Sequence, residues 1–270
     1  MRPFAPGREI VPGVEVVDHI ARSRRQDVYD AWCHRRAARV AVKVLRPDRR
    51  GEPRAVAALL REGRLLRRTT HPHVVRAYEV HRDPLAAVVL ETLGGRTLDH
   101  MVEHDEPLEA EDLRVVTGQL ASAVHHLHGL GYLHLDLKPG NVTADRGRVT
   151  VLDLSHARRP GRVRAGHGTW CYAAPEQIRG GAVDAAADVW GIAIVLHALA
   201  TGERTLIDRA EDLDVDDPQL HGPLPSLADA RPDLPDDLVG LIDGGLAVDP
   251  VDRPPLGHWL GGPPPPVGMT

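Results

Sequence analysis

The sequence predicts an α+β fold in two lobes: a small antiparallel β-sheet lobe with one helix, and a larger, mainly helical lobe. Five apolar or alternating runs indicate strands, at residues 14–20, 27–32, 39–45, 74–80 and 86–90. Residues 54–68 carry leucines at near-helical spacing behind Glu52-Pro53, which is typical of a helix start. The first lobe is therefore expected at residues 14–93.

The second lobe, expected at residues 94–260, follows the turn Thr92-Leu93-Gly94-Gly95. Its long helical patterns cover residues 109–130, 188–200 and 236–246. A hairpin is predicted where residues 142–144 and 149–152 flank the turn Asp145-Arg146-Gly147. The lobe should thus be helical around one small β-hairpin.

The two ends of the chain have a different composition. Residues 1–13 are rich in Pro and Gly, which predicts a flexible N-terminal arm. Residues 261–270 include the run Pro263–Pro266, which predicts a Pro-rich disordered tail.

The composition excludes several classes of protein. The 270 residues are 42% hydrophobic and 26% charged, as in globular proteins, and a net charge of −5 without a basic run argues against a nucleic-acid partner. Cys33 and Cys171 are too few for a disulfide framework or a zinc site, and the 16 histidines lack ligand spacing. The longest apolar stretch, Ile192–Ala200, is too short to span a bilayer, and the first residues lack a signal-peptide core. We therefore expect a cytoplasmic protein with no membrane partner.

Lysine is rare enough in this sequence to be informative. Of the 33 basic side chains only Lys43 and Lys138 are lysines. Lys43 lies in the apolar run Val40–Leu45, and Lys138 lies in the segment His134-Leu135-Asp136-Leu137-Lys138-Pro139-Gly140-Asn141. Because lysine supplies a compact, rotatable point charge that phosphate sites use, both positions indicate phosphate chemistry.

Four more segments complete a recognisable series. They are Asp153-Leu154-Ser155, Gly168-Thr169-Trp170-Cys171-Tyr172-Ala173-Ala174-Pro175-Glu176, Asp188-Val189-Trp190-Gly191 and Asp249-Pro250-Val251-Asp252-Arg253-Pro254. With the two lysine segments they resemble bacterial Ser/Thr protein kinases of the eukaryotic type, over about residues 14–258. The resemblance implies a two-lobed protein kinase-like fold, in which Arg253 pairs with Glu176.

The resemblance also implies roles for the charged residues. Lys43 would hold the α- and β-phosphates of ATP, and Glu62, from the following helix, would pair with Lys43. Asp136 would accept the proton of the substrate hydroxyl, and Lys138 would reach the γ-phosphate. The hydroxyl of Thr169 would bridge Asp136 and Lys138.

Two cofactors, ATP and Mg²⁺, follow from the same resemblance. Asn141 and Asp153 would hold Mg²⁺. The ATP pocket would be formed by Ile20, Val28, Ala41, Lys43, Leu90, Glu91, Leu93 and Thr143. In that set the backbone of Glu91 and Leu93 would meet adenine, and Thr143 stands where the family prefers leucine.

The phosphate loop departs from the family pattern Gly-x-Gly-x-x-Gly, because Ala21, Ser23 and Gln26 occupy the glycine positions. Glycine lets the backbone approach phosphate closely, so its loss predicts weaker nucleotide binding. The arginines at positions 22, 24 and 25 either bring positive charge over the phosphates or point into solvent, and the sequence leaves both readings open.

Two further departures concern the metal loop and control. Asp153-Leu154-Ser155 stands where the family has Asp-Phe-Gly, and since serine tolerates positive φ poorly we expect a stiffer loop. Leu135 replaces the arginine that clamps a phosphorylated loop. We therefore expect that loop phosphorylation does not switch the activity.

These features predict ATP- and Mg²⁺-dependent transfer of the γ-phosphate to Ser/Thr hydroxyls of a protein or peptide substrate. Two alternatives stay open: a pseudokinase acting as a nucleotide-binding or scaffolding module, and a phosphotransferase for a small molecule or biosynthetic peptide. Control would come from a regulatory partner chain or from the nucleotide level. The acidic segment 208–217 is interpreted as a solvated, mobile loop in preference to a docking patch for basic peptides.

Overall fold

The computed structural model describes residues 2–261, which form two compact units. The first unit runs to Gly94 and includes Leu152–Ser155, and the second contains the other described residues. The tail predicted at residues 261–270 lies, apart from residue 261, outside the described residues.

The first unit is an antiparallel sheet with one helix, which confirms the predicted fold class. Its strands are β1 (Glu9–Val11), β2 (Val14–Arg22), β3 (Gln26–Cys33), β4 (Ala38–Leu45), β5 (Ala77–His81) and β6 (Ala87–Glu91). They form one sheet in the order β1-β2-β3-β4-β6-β5. Helix α1 (Pro53–Arg68) begins with a proline, whose missing N–H has no helical partner to lose at that position.

Residues 2–13 do not form the flexible arm that the Pro and Gly content of residues 1–13 predicted. Strand β1 pairs antiparallel with β2, and its last two residues are buried. The ring of Phe4 packs on Tyr29 at 5.5 Å between centroids, and its backbone N–H donates to the Tyr29 hydroxyl at 3.0 Å. The expectation was wrong because burial of these apolar groups outweighs the turn-forming residues around them.

The two faces of the sheet carry different side chains. Val40, Val42 and Val44 alternate along β4 and are fully buried in the core of the unit. Lys43 lies on the opposite face, paired with Val28 of β3 and Val88 of β6. Because side chains of directly opposed residues share a face, one apolar surface surrounds this single ammonium group.

Helix α1 packs on the Lys43 face at very short range. A Cβ atom at Gly63 would lie 2.7 Å from Cγ2 of Val88 and 2.9 Å from Cγ2 of Val80, so only glycine permits this approach. The neighbouring residue, Glu62, is 2% exposed. The close packing thus carries a carboxylate into the interior of the unit.

The second unit is mainly helical, as predicted, with two small sheets. Its helices are α2 (Leu98–His104), α3 (Ala110–Gly129), α4 (Pro175–Arg179), α5 (Ala185–Thr201), α6 (Thr205–Leu213), α7 (Leu227–Ala230) and α8 (Asp236–Gly245). Its strands are β7 (Arg96–Thr97), β8 (Val142–Asp145), β9 (Arg148–Val151), β10 (Gly161–Val163) and β11 (Gly181–Val183). Strands β7, β8 and β9 form one sheet, and β10 pairs with β11.

Helix α5 is the centre of the second unit. Every residue from Ala187 to Ala200 is buried, against α3 and α8 among others. Asp184 caps the first turn by accepting the N–H of Ala186 at 2.9 Å, and Gly202 ends the helix in the left-handed region with φ 73°. Within residues 2–261 no single helix is long and apolar enough to cross a membrane, and only the pair α5 and α6, bent by 84°, reaches that length and composition together.

The acidic segment 208–217 is partly helical, which corrects its interpretation as a loop. Helix α6 covers its first half and buries Leu206 and Ala210, one helical turn apart. The acids outnumber the apolar residues, but two apolar side chains on one face are enough to dock the helix.

Candidate functional site

Lys43 lies between two carboxylates in the first unit. Its Nζ donates to Oε1 of Glu62 at 2.6 Å and to Oδ2 of Asp153 at 2.8 Å. Lys43 is 6% exposed, and its ammonium is therefore almost entirely desolvated. Asp153 is held in turn by the backbone N–H of Ser155, which donates to Oδ1 at 2.6 Å. Ser155 is not among the described residues with positive φ, so its side chain causes no left-handed backbone strain in this loop.

The shared ammonium group and the burial of this cluster shift the pKa values of all three side chains. Burial alone would lower the pKa of Lys43, but Asp153 and Glu62 outweigh burial and raise it. Burial alone would raise the pKa of Asp153, but Lys43 holds it well below its usual range. For Glu62 burial prevails over the attraction of Lys43, and its pKa rises to about 7. The opposite shifts make Glu62 the less stable anion of the two.

Three of the residues predicted for the ATP pocket share a face with Lys43. Ala41 pairs with Leu90 across β4 and β6, and Val28 pairs with Lys43 across β3 and β4. Together they form an apolar surface beside the ammonium group. Ile20 differs, because it is 58% exposed and lies at an irregularity of the β2–β3 register.

The last three residues predicted for the ATP pocket, Glu91, Leu93 and Thr143, lie outside this apolar surface of the sheet. The N–H of Glu91, the last residue of β6, donates to the carbonyl of Arg76 at 2.9 Å and is therefore already engaged. Leu93 is half-buried beyond that strand. Thr143 lies on β8 in the second unit, with its hydroxyl 3.5 Å from the carbonyl of Thr150, at the outer limit of a hydrogen bond.

The glycine-free turn between β2 and β3 is fixed by its own side chain. Oγ of Ser23 accepts the N–H of Gln26 at 3.0 Å and the N–H of Arg25 at 3.3 Å. The carbonyl of Arg25 accepts the N–H of Arg46 at 2.9 Å, which ties the turn to the end of β4. The turn is therefore closed and anchored without glycine.

A buried carboxylate lies directly behind this turn. Asp27 is fully buried and accepts Nε and Nη2 of Arg22 at 2.7 and 3.1 Å, while Nε2 of His19 lies 3.2 Å away. Burial alone would raise the pKa of Asp27, but its partners outweigh burial and lower it. Arg22 is thus engaged with Asp27, whereas Arg24 and Arg25 are exposed.

In the second unit Asp136 is held by two side chains. Oγ1 of Thr169 donates to Oδ1 of Asp136 at 2.6 Å, and Nδ2 of Asn141 donates to Oδ2 at 3.0 Å. Nζ of Lys138 donates to Oγ1 of Thr169 at 2.7 Å and lies 3.7 Å from Oδ2 of Asp136. The structure thus brings together the four residues predicted in this unit for catalysis and metal binding.

Leu135, directly before Asp136, adopts a left-handed conformation with φ 62°. For a residue with a Cβ atom this conformation costs roughly 1–2 kcal/mol of free energy. Both of its backbone polar groups are held: the N–H donates to Oδ1 of Asp188 at 2.7 Å, and the carbonyl accepts Nε2 of Gln177 at 2.9 Å. The second oxygen of Asp188 is in contact with Nε2 of His128 at 2.7 Å. The backbone before the candidate base is therefore fixed from two sides.

Gln177 connects three segments through one buried amide. Besides the carbonyl of Leu135, its Nε2 donates to the carbonyl of His167 at 3.0 Å, and its Oε1 accepts the N–H of Ala174 at 3.1 Å. A Cβ atom at Gly168, where φ is 108°, would lie 3.0 Å from Nε2. These contacts join the catalytic segment to the stretch before α4 without any charged group.

The predicted pair of Arg253 and Glu176 is present and buried. Nη1 and Nη2 of Arg253 donate to the two carboxylate oxygens of Glu176 at 2.7 and 2.9 Å. The remaining donors bind the carbonyls of Ala247 and Ala186 at 2.9 and 2.8 Å, and the guanidinium lies 5.2 Å from the centre of the Trp190 ring. The planar fork of arginine suits this set of acceptors.

The oxygen donors predicted for Mg²⁺ fit that ion. Nδ2 of Asn141 donates to Asp136, so the other polar atom of this side chain, the carbonyl oxygen, is the one that would bind a metal. Asp153 offers a carboxylate that stays ionised at neutral pH. Mg²⁺ is commonly bound by one or two such oxygens together with phosphate groups. Over the described part of the chain there is no cluster of three or more His, Cys, Asp or Glu that could hold a metal.

Three residues of the site were not assigned from the sequence. Gln177 directly follows Glu176 and Asp188 opens a recognised segment, so their positions were signals that could have been used. Asp27 gave only a weak signal, as one of two aspartates in a mostly apolar strand. Its burial depends on strand register, which the pattern does not give.

Comparison with known proteins identifies the family. The profile of the protein kinase domain family matches residues 16–261, and the chain belongs to that family. Among curated proteins it is similar to the serine/threonine-protein kinase PkaA of Streptomyces coelicolor, with 34% identity over 226 residues, which is 80% of this chain and 40% of that protein. It is also similar to the serine/threonine-protein kinase PrkC of Bacillus subtilis, with 28% identity over 221 residues, 79% of this chain and 34% of that protein.

The fold has close counterparts among solved structures. The kinase domain of PknI from Mycobacterium tuberculosis aligns with a TM-score of 0.73 and 24% identity, covering 96% of this chain and 97% of that one. At this identity the likeness shows the fold. The chain spans about two fifths or less of the two curated relatives named above.

Proposed function

We propose that this chain is an ATP-dependent protein kinase that transfers the γ-phosphate to serine or threonine hydroxyls. The observation that carries the proposal is the Asp136 carboxylate, which is held at 2.6 Å by Thr169 and at 3.0 Å by Asn141 beside an ammonium group. A fixed carboxylate next to a lysine is what proton acceptance from an attacking hydroxyl requires. The curated relatives named above support the same activity.

In this proposal Asp136 orients the acceptor hydroxyl and takes its proton as the hydroxyl oxygen bonds to the γ-phosphorus and the bond to the ADP oxygen breaks. Lys138, aligned by Thr169, balances negative charge on the transferred group.

Lys43 would bind the α- and β-phosphates, with Glu62 and Asp153 holding its ammonium group in place. Val28, Ala41 and Leu90 would contact the adenine ring from their common face of the sheet. Asp153 and Asn141 would hold Mg²⁺, which neutralises phosphate charge when bound.

Transfer of radiolabelled phosphate from ATP and Mg²⁺ to casein or myelin basic protein tests the proposal. We expect transfer by the unmodified chain and a loss of about 10²–10⁴-fold in Asp136→Asn, because the proton acceptor is removed while the fold is kept. Asp145→Asn, which changes an exposed aspartate of β8, is the matched control and should keep the full rate.

Lys43→Arg tests the nucleotide half of the proposal. The guanidinium keeps the charge but cannot occupy the compact position between Glu62 and Asp153, so we expect little transfer. Thermal shifts with ATP and Mg²⁺ accompany both assays. A folded chain that shows a nucleotide shift and no transfer would refute the kinase proposal and leave a nucleotide-binding module.

A further inference from the structure

Two adjoining cavities in the first unit lie on residues other than those of the candidate site. The larger, of about 510 Å³, lies between the N-terminal segment, the end of β4 and the β5–β6 turn. The smaller, of about 370 Å³, lies along the first turns of α1. Both are lined by Arg50, Val56 and Arg82.

Positive charge dominates both cavities. Arg8 also lines the larger one and Arg64 the smaller one, so four guanidinium groups surround the combined space. The larger cavity contains two acids, Glu9 and Asp83, and the lining of the smaller contains none.

These arginines differ from the ion-paired arginines of the first unit. Arg22, Arg39 and Arg46 form ion pairs with aspartates. Among residues 2–261, none of the four that line the cavities forms an ion pair. Arg8, Arg64 and Arg82 are exposed to solvent, and an anion that bridged them to Arg50 would gain charge-assisted hydrogen bonds.

Arg50 is the most constrained of the four. Its Nε donates to the carbonyl of Leu45 at 3.1 Å, and its guanidinium lies 4.4 Å from the centre of the Phe4 ring. Its Nη2 is buried and has no hydrogen-bond partner among the described residues. Burial lowers the pKa of Arg50, and neighbouring Arg8 lowers it further. A buried donor without a partner is costly, and an anionic acceptor would satisfy it.

The start of α1 adds to this environment. No side chain hydrogen-bonds to the first turn, which contains no acid, and the carboxylate of the N-cap residue Glu52 is engaged by Arg49 at 2.6 Å. Pro53 of that turn lines the smaller cavity. The helix and the arginines therefore favour the same sign of ligand.

The walls between the arginines are apolar. Val56, Ala57 and Leu60 of α1 line the smaller cavity, and Ile10, Leu45 and Leu85 line the larger one. A free phosphate ion would fill only a small part of this space. The chemistry that matches it is a phosphate dianion attached to a chain with an apolar side chain nearby.

We infer that the two cavities form a binding site for a phosphorylated peptide segment of a partner protein, with the phosphate on Arg50, Arg64 and Arg82 and an adjacent apolar residue against α1. This site is separate from the residues proposed for phosphotransfer. It would give the chain a way to recognise phosphorylated proteins through the helix that carries Glu62.

Fluorescence anisotropy without ATP tests this inference. The probe is a short labelled peptide with one phosphothreonine and one leucine two positions away, compared with the same peptide without phosphate. We expect saturable binding of the phosphopeptide and at least about tenfold weaker binding of the unmodified peptide, the effect of about 1.4 kcal/mol. Equal affinity for the two peptides would overturn the inference.

Variants locate the phosphate. The double variant Arg64→Ala/Arg82→Ala changes two exposed side chains and should weaken phosphopeptide binding at least about tenfold without unfolding the chain. Arg61→Ala, an exposed arginine of α1 that lines neither cavity, is the matched control and should bind as the unmodified chain does. Loss of binding in Lys138→Met with none in the double variant would place the phosphate at the candidate active site and overturn the inference.

Two competitors identify the source of the anion. Inorganic phosphate should displace the peptide only at concentrations far above the peptide's own dissociation constant, because it lacks the apolar contact. If free phosphate competes as strongly as the phosphopeptide, the site recognises the ion alone and the inference fails. Vesicles of phosphatidylserine that bind through the same arginines, with no preference for the phosphopeptide, would assign the site to a membrane surface and also overturn it.

Discussion

Replacing Glu62 by glutamine should flatten the pH dependence of stability in the neutral range. In the folded chain the pKa of Glu62 is about 7, against an ordinary value of 4.5. Between these two values the folded state binds more protons than the unfolded state, so the free energy of unfolding falls as the pH rises. A tenfold change in proton affinity is worth about 1.4 kcal/mol, so the whole effect is at most about 3 kcal/mol.

Glu62→Gln removes the titrating group and keeps an oxygen that accepts from Lys43. The unmodified chain should therefore lose up to about 3 kcal/mol more than the variant between pH 4.5 and pH 7, and the two curves should run parallel above pH 8. Asp153 does not mask this difference, because its pKa is lowered and its contribution is lost only in acid, below its usual range.

Urea unfolding at a series of pH values measures this difference, since urea does not screen charges as guanidinium does. Glu106→Gln, which changes an exposed glutamate outside the cluster, is the control and should leave the pH dependence as it is. If Glu62→Gln and the unmodified chain show the same slope between pH 4.5 and pH 7, the carboxylate is not held in an unfavourable ionised state and the account of the cluster is wrong.

Three more substitutions test the contacts that fix the rest of the site. Gln177→Met keeps the volume but leaves the carbonyl of Leu135 unpaired, and should destabilise the chain by about 1–3 kcal/mol and lower kcat more than it raises KM for ATP, as steady-state kinetics would show. Arg253→Lys keeps the charge but cannot satisfy Glu176 bidentately, and should cost about 1–3 kcal/mol in urea unfolding; an unchanged midpoint would contradict the buried pairing. Asp27→Asn should lower stability by about 1–3 kcal/mol and speed hydrogen exchange in the β2–β3 turn, and unaltered exchange would show that the turn is held by Ser23 alone.

The sequence predicted most of the fold where local pattern and burial agree. Leucines at helical spacing located α1, because Leu59, Leu60, Leu65 and Leu66 are the residues that become buried. Alternation located β4, where every second residue from Val40 to Val44 is a valine that enters the core. Such elements are predictable because the residue types that fix the local conformation also supply the packing.

Prediction failed where distant contacts decide the local structure. The Pro- and Gly-rich start of the chain becomes β1 because β2 offers a free edge, and that pairing is not encoded in the segment itself. Helix α6 forms in an acidic segment because Leu206 and Ala210 are buried by α5 and its surroundings. In both cases the missing information is which surface lies nearby.

The candidate site shows the same division between motif and environment. Spacing within the family motifs was enough to predict that Lys43 and Glu62 lie together, and the structure places them 2.6 Å apart. The environment was not predictable: only coordinates show that burial outweighs Lys43 at Glu62, or that Asp27 has no exposed surface. Charge identity can be read from a sequence, but desolvation depends on packing by residues far along the chain.

The departures from the family pattern share one physical consequence. Where glycines would leave the phosphate loop free to move, Ser23 closes the turn and Asp27 anchors Arg22 behind it. Where the family has an arginine that binds a phosphorylated loop, this chain has Leu135, whose carbonyl accepts a hydrogen bond from the neutral amide of Gln177. At both positions the family's residues depend on a bound ligand or on a phosphate group to become ordered. In this chain the same segments are held by hydrogen bonds within the folded protein. If the kinase proposal is right, the chain should be active without loop phosphorylation, and control has to act at a surface other than the catalytic segment.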